Sequence, residues 1–115
     1  MKIQIVAALA ACAFAATPAI AQKDPETLYN EGQSFFESGQ SEYNAAGRAQ
    51  QNGDSSGYCD NLRAAYLDFD KAKNRFYSLS LAVAGQPSGN DALKMYRMAY
   101  DAREQTRKAF EGRCG

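Results

Sequence analysis

Residues 59–83 read CDNLRAAYLDFDKAKNRFYSLSLAV, and within them Leu62, Ala65, Phe69, Ala72, Phe76, Leu79 and Val83 recur at alternating spacings of three and four. An α-helix turns once every 3.6 residues, so this spacing lays all seven side chains along a single apolar seam. Helix 2 is therefore expected over about residues 58–84. Asp68, Lys71 and Arg75 fall on its other side, spaced for local ion pairing and solvation.

The flanks extend the pattern in both directions. Downstream, Gly85-Gln86-Pro87-Ser88-Gly89-Asn90 concentrates the residues that stop one helix and start the next. Helix 3 follows over about residues 90–112, with Ala92, Met95, Tyr96, Ala99, Ala102, Thr106, Ala109 and Phe110 in one arc. Lys94, Arg97, Asp101, Glu104 and Lys108 occupy the other arc, the arrangement of a solvated face. Upstream, Asp24-Pro25-Glu26 is a helix start: a capping side chain, a proline at the first helical position, and acidic charge at the positive end of the dipole. Helix 1 runs over about residues 25–51, up to the polar stretch Asn52-Gly53-Asp54-Ser55-Ser56-Gly57. The fold class is all-α, a three-helix bundle in which helices 2 and 3 form an antiparallel hairpin and helix 1 packs across it.

Two glycines in the middle of helix 1 act against that assignment, since each costs about 1 kcal/mol relative to alanine in a helix interior. Gly32, Gly39 and Ala46 are each seven residues apart and so lie along one line of the helix. They form either a groove that admits a neighbour's aromatic rings or a weak point where the helix breaks near Gly39.

Cys59 lies 28 residues before Pro87 and Cys114 lies 27 after it. Antiparallel helices of equal rise bring these two ends level, which predicts a Cys59–Cys114 disulfide closing the hairpin.

The first 21 residues read as a secretory signal peptide: Lys2, an apolar run from Ile3 to Ala16 broken only by Gln4, then the small-residue boundary Ala19-Ile20-Ala21. Cleavage before Gln22 leaves a single helical domain over residues 22–115, secreted or periplasmic, where a disulfide is chemically available. Leu9-Ala10-Ala11-Cys12 also matches a short lipobox. Acylation of Cys12 would anchor the protein to a membrane as an envelope lipoprotein and leave the apolar residues 13–21 attached. Without that lipid no membrane association is expected.

Charge is unevenly spread. Residues 22–60 carry seven acidic and two basic side chains, residues 61–115 six acidic and ten basic. An acidic first helix on a basic hairpin neutralises both internally, so no nucleic-acid partner is expected.

The chain has no histidine, and the disulfide consumes both thiols outside the leader. The usual Ser-His and Cys-His nucleophile pairs cannot be assembled, and soft metal sites lose their ligands. Carboxylate pairs such as Asp68 with Asp70 or Asp101 with Glu104 sit on charged helix faces with no sign of a cleft. No catalytic residue, cofactor or metal is expected.

Binding is left as the reading. Seven tyrosines are many for a small helical domain, and tyrosine suits interfaces because one end is apolar and the other wet. Leu67, Tyr77 and Leu81 fall off the helix 2 seam, where they form either a second packing face for helix 1 or a candidate partner surface for another protein. The alternative is a small-ligand pocket lined by Gly32, Gly39, Tyr96 and Arg103. Arg103 lies on the apolar arc of helix 3, where it either clamps an anion or lays its stem on apolar surface and pairs with a helix 1 acid such as Glu31 or Glu42.

Overall fold

The computed structural model describes residues 23–115, so the expected leader cleavage and the lipidation alternative at Cys12 lie outside the described residues. Three helices follow in order: α1 (Pro25–Gln51), α2 (Ser55–Ala82) and α3 (Gly89–Arg113). The Asp24 carboxylate caps α1 by accepting from the Thr27 backbone N–H at 2.8 Å. Helix α1 is continuous through Gly32 and Gly39 and ends where Gly53 takes a left-handed φ of 74°, a conformation that costs an L side chain energy.

Helix α2 starts at Ser55, three residues before its expected position. Asp54 is the reason: its carboxylate accepts from the Gly57 N–H at 2.8 Å. Ser55, Ser56 and Gly57 then occupy the first turn, where backbone N–H groups need no partner inside the helix. The turn between α1 and α2 is thus only Asn52, Gly53 and Asp54. The second turn spans Val83 to Ser88 around Gly85, whose φ is 82°.

Helix α2 is the centre of the fold, with close backbone packing of α1 on α2 and of α2 on α3. The α1 contact is a set of rings seated over glycines. A Cβ at Gly32 would stand 2.5 Å from the Phe76 ring, and one at Gly39 would stand 2.7 Å from the Phe69 ring. Seven residues down α1 thus match seven residues up α2, and the next step places buried Ala46 level with buried Leu62. The glycine cost is offset because the two backbones can approach across Phe69 and Phe76.

The α2–α3 contact keeps one register along its length. Cys59 meets Cys114, Arg63 lies over Phe110, Asp70 binds Arg103, and the ring of Tyr77 packs at a tilt against Tyr96. From each pair to the next, the rise in number on α2 equals the fall on α3. The disulfide closes this ladder with the two Cα atoms 5.8 Å apart. Leu28, Ala72, Phe76, Leu79, Val83, Ala92 and Ala99 form the core cluster, with Phe35, Phe36, Met95 and Tyr96 packed around it.

Candidate functional site

One flank of the hairpin carries a run of aromatic side chains. Tyr77 of α2 and Tyr96 of α3 lie with ring centroids 5.4 Å apart, and Tyr96 and Tyr100 lie 6.2 Å apart, all tilted. Leu81 stands one turn beyond Tyr77, and the hairpin register puts Leu93 level with Ser80 beside it. Tyr77 is 48% exposed and Leu81 61%. Leu93 and Tyr100 are exposed as well. Leu67, at 53% exposure, is separate: ten residues, or roughly 15 Å of helix, divide it from Tyr77.

Arg103 closes the other end of this run. Its guanidinium donates from Nη1 to Asp70 Oδ1 at 2.9 Å and from Nη2 to Glu104 Oε2 at 3.0 Å. The same group lies over the rings of Tyr66 at 5.7 Å and Tyr100 at 5.2 Å, so its planar cation is both paired and stacked. Burial pushes the Asp70 carboxyl up, but hydrogen bonds from Arg103 and Lys73 outweigh it and hold the group below its ordinary range. The expected pairing with a helix 1 acid is therefore corrected to α2. Asp70 sits in the hairpin register opposite Arg103, while Glu31 is held by Lys23 and Arg75, both at 2.7 Å. Among the described residues, the Glu31–Arg75 bond is the salt bridge that joins α1 to the hairpin.

The four residues of the expected ligand pocket are not brought together. The space that Gly32 and Gly39 leave is filled by Phe76 and Phe69 of the same chain, and Tyr96 and Arg103 belong to the α2–α3 flank. A shallow groove of about 380 Å³ instead runs between α1 and α3, lined by Phe36, Gln40, Tyr43, Ala102 and Gln105 over Phe69. Its polar groups are amides and one phenol, which donate and accept hydrogen bonds but do not exchange protons near neutral pH.

A second acidic pair escapes sequence reasoning. Burial first, and then Asp68 of α2, pushes the carboxyl of Glu42 on α1 up to about 7. Glu42 Oε1 is buried with no hydrogen-bond partner. In the sequence Asp68 reads as a solvated acid on the polar side of helix 2, and Glu42 as a candidate partner for Arg103. Only the rotation of α1 on α2 makes them neighbours.

Among the described residues, no group of three or more metal-ligating side chains converges, and no helix is long and apolar enough to cross a membrane. The Cys59–Cys114 disulfide is compatible with an oxidising compartment. No protein-family model, curated protein or solved structure matches the chain.

Proposed function

We propose that this is an exported, non-catalytic helical module that binds another protein in the cell envelope or extracellular space. The observation that supports it is the exposed apolar run Tyr77, Leu81, Leu93 and Tyr100 on one flank of a hairpin braced by a disulfide. Aromatic and aliphatic side chains held on rigid helices lose little conformational entropy on binding, and such groups carry much of the energy at protein interfaces. Export follows from the leader and suits the disulfide.

A photoactivatable crosslinking residue at Leu81 tests the reading, with the same residue at exposed Arg48 as the control. A specific adduct is expected from position 81 in the native compartment and none from position 48. Leu81→Glu should abolish the adduct formed from a crosslinker at Tyr100 while leaving the thermal midpoint nearly unchanged, because a side chain this exposed contributes little to the core. A marked drop in stability with Leu81→Glu would show that the face packs within the fold, and the binding reading would fail.

A further inference from the structure

We propose that two copies of this chain pair with their α1–α3 grooves face to face, each of these helices lying antiparallel to its counterpart. Beside the seam that packs on α2, α1 carries a second one: Tyr29, Gln33, Phe36, Gln40, Tyr43 and Gly47 follow at alternating steps of four and three. Helix α3 carries Met95, Met98, Ala102, Gln105, Ala109 and Gly112 at alternating steps of three and four. Phe36, Gln40, Tyr43, Ala102 and Gln105 line the groove, and the spacing continues its two walls toward both helix ends. None of these side chains is charged, although charged residues make up 23% of the sequence, and Tyr29, Tyr43 and Met98 are exposed. An uncharged seam on each wall suits a covered face better than a solvated one.

Two glycines on the walls have no use in the single chain. Gly47 and Gly112 lie inside helices, which glycine weakens relative to alanine, yet a Cβ at either would meet nothing within 4 Å. Gly32 and Gly39, by contrast, each seat a ring. The two wall glycines are also level with each other. Gly39 seats Phe69, so Ser38 lies level with Asp70, which binds Arg103. Nine residues further along both helices stand Gly47 and Gly112. Both walls therefore lack a side chain at the same end of the groove, where an outside group can approach the two backbones closely.

The seams fit themselves when reversed. Steps of four and three that alternate are the same read from either end, so an antiparallel copy of α1 keeps register. Tyr29 then stands opposite Gly47 of the second copy, Gln33 opposite Tyr43, and Phe36 opposite Gln40. On α3 the reversal sets Met95 opposite Gly112, Met98 opposite Ala109, and Ala102 opposite Gln105. Large residues meet small ones on both walls, and a ring over glycine repeats the way this chain seats Phe76 on Gly32. The α1 seam reverses about Ser38 and the α3 seam about the bond between Arg103 and Glu104. Since Ser38 is level with Arg103, one two-fold axis serves both walls. A face ~27 Å long and two helices wide buries roughly 1,000 Å² in the pair, the lower edge of a specific interface, so the association is roughly micromolar. Tyr100 is two residues from Met98 and lies on the far side of α3, so the pair leaves the Tyr77–Leu81 flank of each copy open.

Sedimentation equilibrium of the disulfide-bonded protein tests the pairing, and a reversible dimer with a Kd of roughly micromolar is expected. Gln40→Arg places unpaired cations beside the axis and should weaken the dimer by about a hundredfold or more, while the thermal midpoint of the dilute monomer stays nearly unchanged. Gly47→Ala should weaken it by about tenfold yet raise that monomer midpoint, two opposite signs that general destabilisation does not produce. A photocrosslinker at Gln40, in a mixture of light- and heavy-isotope chains, should give mixed adducts on the α1 segment around Phe36. A protein that stays monomeric at millimolar concentration would overturn the proposal. So would a dimer that ignores both substitutions but is lost with Leu81→Glu, which would put the contact on the other flank. Adducts from Gln40 to a different protein alone would assign the groove to a foreign helix and overturn self-pairing.

Discussion

At Gly39 of α1 a single methyl group meets the ring of Phe69, whereas at Gly47, two turns further on, it would meet nothing within 4 Å. Both positions gain the same helix propensity on substitution, so their difference isolates packing. Gly47→Ala should stabilise the protein by about 0.5 to 1 kcal/mol in urea denaturation. Gly39→Ala should instead destabilise it by about 1 to 3 kcal/mol, since Phe69 must leave its seat, and Phe69→Leu in that background should recover part of the loss. The seven-residue spacing of small residues is legible in the sequence. Which rings fill the gaps is not, because periodicity fixes a face and leaves the axial offset of the neighbour open. Arg103 shows the same limit. Its place on the apolar arc is readable, but its partner is set by the hairpin register and is Asp70, not the acid that overall charge balance pointed to.

For whole elements, caps decide more than composition does. The run Asn52 to Gly57 is rich in turn formers, yet half of it belongs to α2, because a carboxylate at Asp54 can satisfy the N–H of Gly57. Asp54→Ala should cost about 1 kcal/mol in urea denaturation and fray the first turn, seen as faster amide exchange at Ser56 and Gly57. The seams of α2 and α3 were legible from spacing alone because every third or fourth residue is apolar over many turns. The effect of Asp68 on the Glu42 carboxyl was not, since it arises only between elements. The Cys59–Cys114 bond is the exception that proves readable across elements: two cysteines equidistant from one turn leave a single level at which they can meet.

On the scale of the whole molecule, that bond spans 55 positions of chain. Closing such a loop stabilises a fold by about 4 kcal/mol in the chain-entropy account, a large share of the ~5 to 15 kcal/mol expected of a domain. Cys59→Ser with Cys114→Ser should therefore lower the unfolding free energy by about 2 to 4 kcal/mol. Non-reducing peptide mapping of the wild-type protein should recover the two cysteines in one linked peptide from a monomer. The seating of α1 carries a different consequence. Gly32 and Gly39 repeat at the same interval as Phe76 and Phe69, so the two helices mesh like combs with equal teeth. Sliding α1 by one tooth, roughly 10 Å, would seat Phe76 over Gly39 and set Phe69 against the methyl of Ala46. The Ala46 methyl opposes the slip, and so does the shortness of the Asn52 to Asp54 turn, since three residues span at most ~10 Å and already bridge the helix ends. Lengthening that turn by seven residues would release this catch and leave the Ala46 methyl, where the second alignment needs a glycine, as what holds α1 in one place.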